Sequence, residues 1–105
     1  MLHQREIQVL NTIAKLDGPT ISQDIAIDTK ISQSTIQAVL RKMLAEGYVE
    51  SVGFTHSGNV LTRQFVLTDK AKEDILQQMV DFYSSVKDII SVNDVCTVLQ
   101  KNKNV

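Results

Sequence analysis

Three polar residues spaced four apart are the part of this sequence best suited to bind a ligand. Gln33, Gln37 and Arg41 would lie in one row, because residues four apart share a helix face. In the major groove of DNA, a Gln amide can pair in bidentate fashion with adenine and an Arg guanidinium with guanine. A helix face that meets only solvent has a similar composition, so this row alone leaves both interpretations open.

The residues around this row predict a helix with one buried face. Ser32 is a preferred N-cap residue, and Gly47 suits the left-handed position after a helix. Between them, apolar residues repeat at the helical period: Ile36, Val39, Leu40, Met43 and Leu44. Thr20 and Gln23 have the spacing of a capping box for a shorter preceding helix. Together these signals predict a helix-turn-helix over residues 20–47.

Two strands are predicted directly after this motif. Residues 48–54 and 60–67 are rich in β-branched and aromatic residues, and residues 55–59 (THSGN) form a polar turn that contains Gly58. A helix is predicted before the motif, from Met1 to Leu16. A helix-turn-helix followed by a hairpin is the arrangement of a winged helix-turn-helix, so we expect a mostly α fold with a small β-hairpin.

Two segments resemble known regulators. Residues 31–51 (ISQSTIQAVLRKMLAEGYVES) resemble the recognition helix and wing entry of bacterial winged-helix regulators. Residues 63–75 (RQFVLTDKAKEDI) resemble the L-T-x-x-G/A-x-x-x-L/I exit from the wing in the MarR and PadR families. The chain length also resembles that of the penicillinase-repressor (BlaI/MecI) family. The resemblance covers about the first three-quarters of the chain and implies binding to double-stranded DNA.

A set of DNA contacts follows from this resemblance and from the residue types. Gln33, Ser34 and Gln37 would read bases, with Arg41 deeper in the groove or on the backbone. The phosphates would be held by polar and basic side chains of the same region, Lys30, Ser32, Thr35 and Lys42. The wing would contribute His56 and Asn59, for which a merely polar turn is an equal alternative, and Arg63, expected in the minor groove.

A long helix from Asp69 to about Ile90 carries more apolar surface than one face of a small domain needs. Its apolar residues form an a/d seam with a second stripe beside it, and the predicted dimer interface is Ile75, Met79, Phe82, Tyr83, Val86, Ile89 and Ile90. A last helix capped by Ser91 and Asp94 could instead cover part of this surface. We expect a winged region at 1–67 and a dimerisation region at 68–105, within one compact domain.

Charge and composition agree with a local binding face. The chain has 105 residues and a net charge of −1, so it is not a generally basic nucleic-acid coat. Between Thr29 and Ala45 the only charges are Lys30, Arg41 and Lys42. Acidic residues exceed lysines from Thr68 onward, away from the expected DNA face. A protein that recognises a specific DNA sequence needs a basic patch on one face, but the protein as a whole need not be basic.

The sequence gives little support for an enzyme, a metal-binding protein or a membrane protein. His3 and His56 lie in unrelated segments, and the single Cys96 excludes an internal disulfide and is expected to pack on an apolar helix face. No Cys/His cluster has zinc spacing, so we expect neither an enzyme nor a cofactor. Neither a signal peptide nor a membrane span is evident, so a cytoplasmic location is expected.

The sequence therefore predicts a homodimeric winged-helix transcriptional repressor that binds double-stranded DNA. The alternative is a winged-helix module that binds protein and no DNA, which the acidic pI of 6.0 favours. The sequence leaves a small-molecule effector open.

Overall fold

The computed structural model describes residues 1–103, and within them it contains five α-helices and one two-stranded antiparallel sheet. The elements are, in chain order, α1 (Gln4–Leu16), α2 (Ser22–Thr29), α3 (Gln33–Ala45), β1 (Val49–Ser57), β2 (Val60–Leu67), α4 (Asp69–Val86) and α5 (Val92–Lys103). This order confirms the predicted fold class, a mostly α winged helix with a small hairpin. In the described part of the chain, no helix is both long enough and apolar enough to cross a membrane.

The helix-turn-helix consists of α2 and α3. The predicted capping box at Thr20 is wrong, because its backbone pairs with Phe65 (N···O 3.0 and 2.8 Å) and its hydroxyl donates to the Gly18 carbonyl. Because Thr20 pairs with Phe65, it lies outside α2, which begins at Ser22. The cap of α3 is confirmed, since the Ser32 hydroxyl accepts from the Thr35 backbone N–H at 3.4 Å.

The wing is a longer hairpin than the sequence suggested. The predicted five-residue turn over 55–59 is wrong, because β1 continues to Ser57 and the turn contains only Gly58 and Asn59. Gly58 has φ 64°, which glycine adopts without steric cost. A bulge at Val52 shifts the register, so that Ser51 pairs with Phe65 while Gly53 pairs with Gln64.

The core lies in the first of two compact units, which spans residues 1–75. Its buried apolar residues come from the first three helices, the wing, the start of α4 and the residues next to these elements. They are Leu2, Val9, Leu10, Ile13, Ile25, Ile36, Leu40, Met43, Tyr48, Val49, Phe65 and Ala71. Ile75 packs partly buried against them. The first turns of α4 therefore belong to this unit.

The second unit begins at Leu76 and contains the rest of α4 and α5. Helix α4 ends at Val86 and not near Ile90, and in the turn that follows the backbone N–H groups of Ile89 and Ile90 both donate to the Val86 carbonyl. The predicted cap of α5 is confirmed: Ser91 and Asp94 each donate a backbone N–H to the other's side chain, at 2.9 and 3.1 Å. None of the buried core residues comes from this unit.

Candidate nucleic-acid interface

The polar row on α3 borders an open groove between α3 and β2. The groove has a volume of about 370 Å³. Its walls are formed by residues of α2, α3 and β2: Ser22, Gln33, Gln37, Leu40, Arg41, Leu44, Val60, Leu61, Thr62, Arg63 and Phe65. The structure thus brings together four of the predicted DNA contacts, Gln33, Gln37, Arg41 and Arg63, from segments more than twenty residues apart.

The groove is positively charged although the chain as a whole is slightly acidic. Arg41 and Arg63 are its two charged residues, and no carboxylate lines it. Within residues 1–103 neither guanidinium forms an ion pair with a carboxylate. Both cations are therefore available to an anionic ligand, and the neutral amides of Gln33 and Gln37 offer hydrogen bonds beside them.

Arg63 lies against an aromatic ring of the neighbouring strand. Its guanidinium carbon is 5.7 Å from the centroid of the Phe54 ring, within the range of a cation–π interaction. The two residues are Cα partners in the ladder, and opposite residues in an antiparallel pair point to the same side. The predicted turn over 55–59 would instead have placed Phe54 opposite Val60, so the sequence analysis missed this pair.

The start of α3 presents a cluster of hydroxyl groups. The Ser32 hydroxyl donates to Thr35 Oγ1 at 2.8 Å and lies 3.4 Å from Ser34 Oγ. Lys30 precedes this cluster and is exposed, with φ 59° at the end of α2. A helix N-terminus favours anions, and these hydroxyl groups and Lys30 lie beside the N-terminus of α3. The Gln33 side-chain amide donates to Ser22 Oγ at 3.4 Å, so this hydrogen bond joins the first residue of α3 to the first residue of α2.

Lys42 does not lie with the other cations. Its ammonium contacts Glu6 Oε2 of α1 at 2.6 Å, on the opposite side of α3 from the groove. The buried Glu6 carboxylate thus gives the Lys42 ammonium a partner within the protein, whereas the predicted phosphate contact assumed an unpaired cation. No sequence signal linked Glu6 to Lys42, since the pair joins two helices that only the tertiary fold brings together.

The predicted wing contacts lie at and near the turn. His56 is exposed on β1 opposite Leu61, and Asn59 is exposed in the turn. The neighbouring Ser57 hydroxyl donates to Gln23 Oε1 of α2 at 2.7 Å, so the end of β1 is tied to the helix-turn-helix. This contact links the wing to α2 and was missed by the sequence analysis.

The residues predicted for the dimer interface fall into two groups. Ile75 packs against the core of the first unit. The others lie in the second unit, where Met79, Phe82, Ile89 and Ile90 are exposed and Tyr83 and Val86 are half-buried.

Among the residues that the structure describes, no cluster of side chains forms a metal site or a cysteine-based site. Across residues 1–103 there is no group of three or more His, Cys, Asp or Glu side chains that could hold a metal ion. The expected packing of Cys96 needs correction, because Cys96 is exposed on α5. A single exposed thiol does not by itself define a functional site.

Comparisons with known proteins place the fold. No family model matches the chain, and no curated protein does. Among solved structures, a MarR-like transcriptional regulator from Thermotoga maritima is 23% identical, with 98% of this chain and 73% of that chain covered and a TM-score of 0.56. FabT from Streptococcus pneumoniae in complex with DNA is 14% identical, covering 98% and 72%, with a TM-score of 0.57.

A third similar structure is the adhesin competence repressor AdcR from Streptococcus pyogenes. It is 15% identical, with 97% of this chain and 76% of that chain covered and a TM-score of 0.56. These likenesses concern the fold, which extends over nearly all of the chain. The five helices and the hairpin therefore have the winged-helix arrangement of the MarR-like transcriptional regulators.

Proposed function

We propose that this protein is a transcriptional regulator that binds double-stranded DNA. The observation that carries the proposal is the groove between α3 and β2, where Arg41 and Arg63 meet and no carboxylate is present. Phosphates supply most of the affinity of proteins for DNA, and cations without carboxylate partners suit them. The fold likeness to FabT, whose structure is a complex with DNA, supports the same function.

In this proposal α3 enters the major groove. Gln33, Ser34 and Gln37 read base edges, because they are exposed and lie in the first turns of the helix. The phosphates are held by Lys30, Ser32, Thr35 and Arg41. From the wing, Arg63 reaches the neighbouring minor groove, and His56 and Asn59 contribute beside it. Lys42 is left out of this set because it pairs with Glu6.

We further propose that the regulator is a homodimeric repressor. The apolar side chains of the second unit are exposed in the single chain, and a second copy would bury them. Two copies would also present two α3 helices to a palindromic operator. The similar AdcR is named a repressor, which supports this direction of regulation. The small-molecule effector stays a proposal without assigned residues.

The experiment that tests DNA binding is fluorescence anisotropy with a labelled mixed-sequence duplex. Affinity should fall by a factor of about 10³ or more between about 50 and about 200 mM salt if six or more phosphates are contacted. The double variant Arg41→Gln/Arg63→Gln should bind far more weakly, while Arg5→Gln, an exposed residue on α1, is the matched control. Absence of binding by the unaltered protein at low salt would exclude the proposed function.

A second candidate function is binding to a protein partner through the wing. Val60 and Leu61 follow the turn on β2 and are 66% and 60% exposed, and apolar residues at this position suit a protein surface better than phosphates. Val60→Ser/Leu61→Ser, which keeps both cations of the groove although the two residues also line it, tests this candidate. Loss of a partner captured by the unaltered protein, without any change in duplex affinity, would favour the interaction module.

A further inference from the structure

We propose that Phe54 is a positioning residue that holds the Arg63 guanidinium toward a DNA backbone phosphate in the groove between α3 and β2. The inference rests on the proposed DNA-binding function. It assigns a role to an aromatic residue outside the predicted interface. It also moves the expected contact of Arg63 from the minor groove to the phosphate backbone.

The place of Arg63 in the hairpin argues for a backbone contact. Arg63 lies four residues after Asn59, and a strand rises about 3.3 Å per residue, so Arg63 lies roughly 13 Å behind the turn. The residues nearer the turn on β2 are Val60, Leu61 and Thr62, none of which is charged. A wing that inserts its end into a minor groove would leave Arg63 beside the flanking strand of the duplex.

The position of Arg41 supports the same ligand. Arg41 belongs to α3, and Arg63 faces it from β2 across the groove. A DNA strand that passes between a recognition helix and a wing presents successive phosphates to both walls. The groove offers cations and neutral amides, which matches an anionic backbone better than it matches base edges alone.

Phe54 contacts Arg63 more than it contributes to the core. Its side chain is 56% exposed, so it adds little to the core, yet its ring lies beneath the Arg63 guanidinium. An Arg side chain loses conformational freedom when it is fixed on a ligand. A ring that already restrains the guanidinium reduces this loss when DNA binds, which is how Phe54 would raise affinity without contacting DNA.

The test is a double-mutant cycle measured by anisotropy on a mixed-sequence duplex, where phosphate contacts dominate binding. Phe54→Leu should weaken binding roughly two- to fivefold, the range of an exposed cation–π interaction. Phe54→Tyr should retain affinity because it keeps the ring. In the Arg63→Gln background, Phe54→Leu should have no further effect, because its role acts through Arg63. Ser51→Ala, an exposed change on the same strand, is the control.

Equal losses from Phe54→Leu in the presence and absence of Arg63 would overturn the positioning role, as would failure of Phe54→Tyr to retain affinity. Thermal unfolding of each variant confirms that it is folded. If the unaltered protein binds no DNA, the proposed function fails; if it binds and the cycle shows no coupling, only this inference fails.

A second measurement separates the backbone from the minor groove. Replacing guanine by inosine removes the amino group from the minor groove and leaves every phosphate in place. Arg63→Gln should lose the same factor on both duplexes and lower the salt slope by about one. A loss that depends on the inosine substitution would overturn the backbone assignment.

Discussion

The ammonium of Lys42 contacts the buried carboxylate of Glu6 at 2.6 Å, and this ion pair joins α3 to α1. Glu6 Oε1 also accepts the His3 backbone N–H at 2.9 Å, so the same carboxylate caps α1 and pairs with Lys42 of α3. The pair therefore couples the first helix to the orientation of the row that faces the groove.

Acid should weaken the fold through Glu6. The His3 backbone N–H first, and the Lys42 ammonium second, hold the pKa of Glu6 below its ordinary value of 4.5. The stabilisation is therefore complete above about pH 4.5 and is lost as the pH falls through the lower pKa of the folded state. Glu6→Gln should lower the free energy of unfolding by about 1–2 kcal/mol at neutral pH and flatten this dependence. Urea unfolding at several pH values measures the free energy of unfolding and its pH dependence, with the exposed Glu73→Gln as control.

Neighbouring cations on α3 should have opposite roles. Lys42→Met should lower the melting temperature because it leaves Glu6 without its cation, while the salt slope of DNA binding stays unchanged. Arg41→Met should leave the melting temperature unchanged and reduce the slope by about one. Thermal unfolding and anisotropy on the same samples compare the two. A smaller salt slope of DNA binding for Lys42→Met would show that Lys42 also contacts a phosphate.

Gln37 should determine sequence preference. Once a preferred duplex has been selected, Gln37→Ala should lose about 1–3 kcal/mol of discrimination at one base pair and keep its affinity for mixed sequence. Gln8→Ala, an exposed Gln on α1, is the matched control. Competition binding against single-base substitutions makes the measurement. Equal loss on every sequence would show that Gln37 does not read a base.

The second unit should mediate dimerisation. Phe82 and Ile27 are both 68% exposed, Phe82 on α4 and Ile27 on α2. Phe82→Glu should convert a dimer to the 11.7 kDa monomer, whereas Ile27→Glu should not. Light scattering after size exclusion reports the mass. A protein that is monomeric before any substitution would contradict the proposed homodimer.

Tyr48 should stabilise the junction between the wing and α4. Its hydroxyl donates to Asp74 Oδ2 at 2.8 Å, and this bond to a carboxylate, with burial second, raises the pKa of Tyr48 above 10.0. The stabilisation is therefore present below about pH 10 and is lost as the pH rises through the higher folded-state pKa. Tyr48→Phe should cost about 1 kcal/mol at neutral pH. Chemical unfolding measures this cost, with Tyr83→Phe for comparison.

Local features of the sequence were enough to predict that the helices exist and which polar row α3 exposes. Ser32 caps α3, and Ser91 and Asp94 cap α5, because a cap needs only residues within one turn of each other. Gln33, Gln37 and Arg41 border one groove because helix periodicity sets which residues share a face.

Tertiary structure decided which distant residues meet. Thr20 has the local signal of a helix cap, yet its backbone pairs with Phe65. The pairing of Phe54 with Arg63 depends on the length of the turn and on the bulge, which together set the strand register. Glu6 meets Lys42 only when α1 packs against α3. Such contacts depend on long-range packing, so no local pattern in the sequence could predict them.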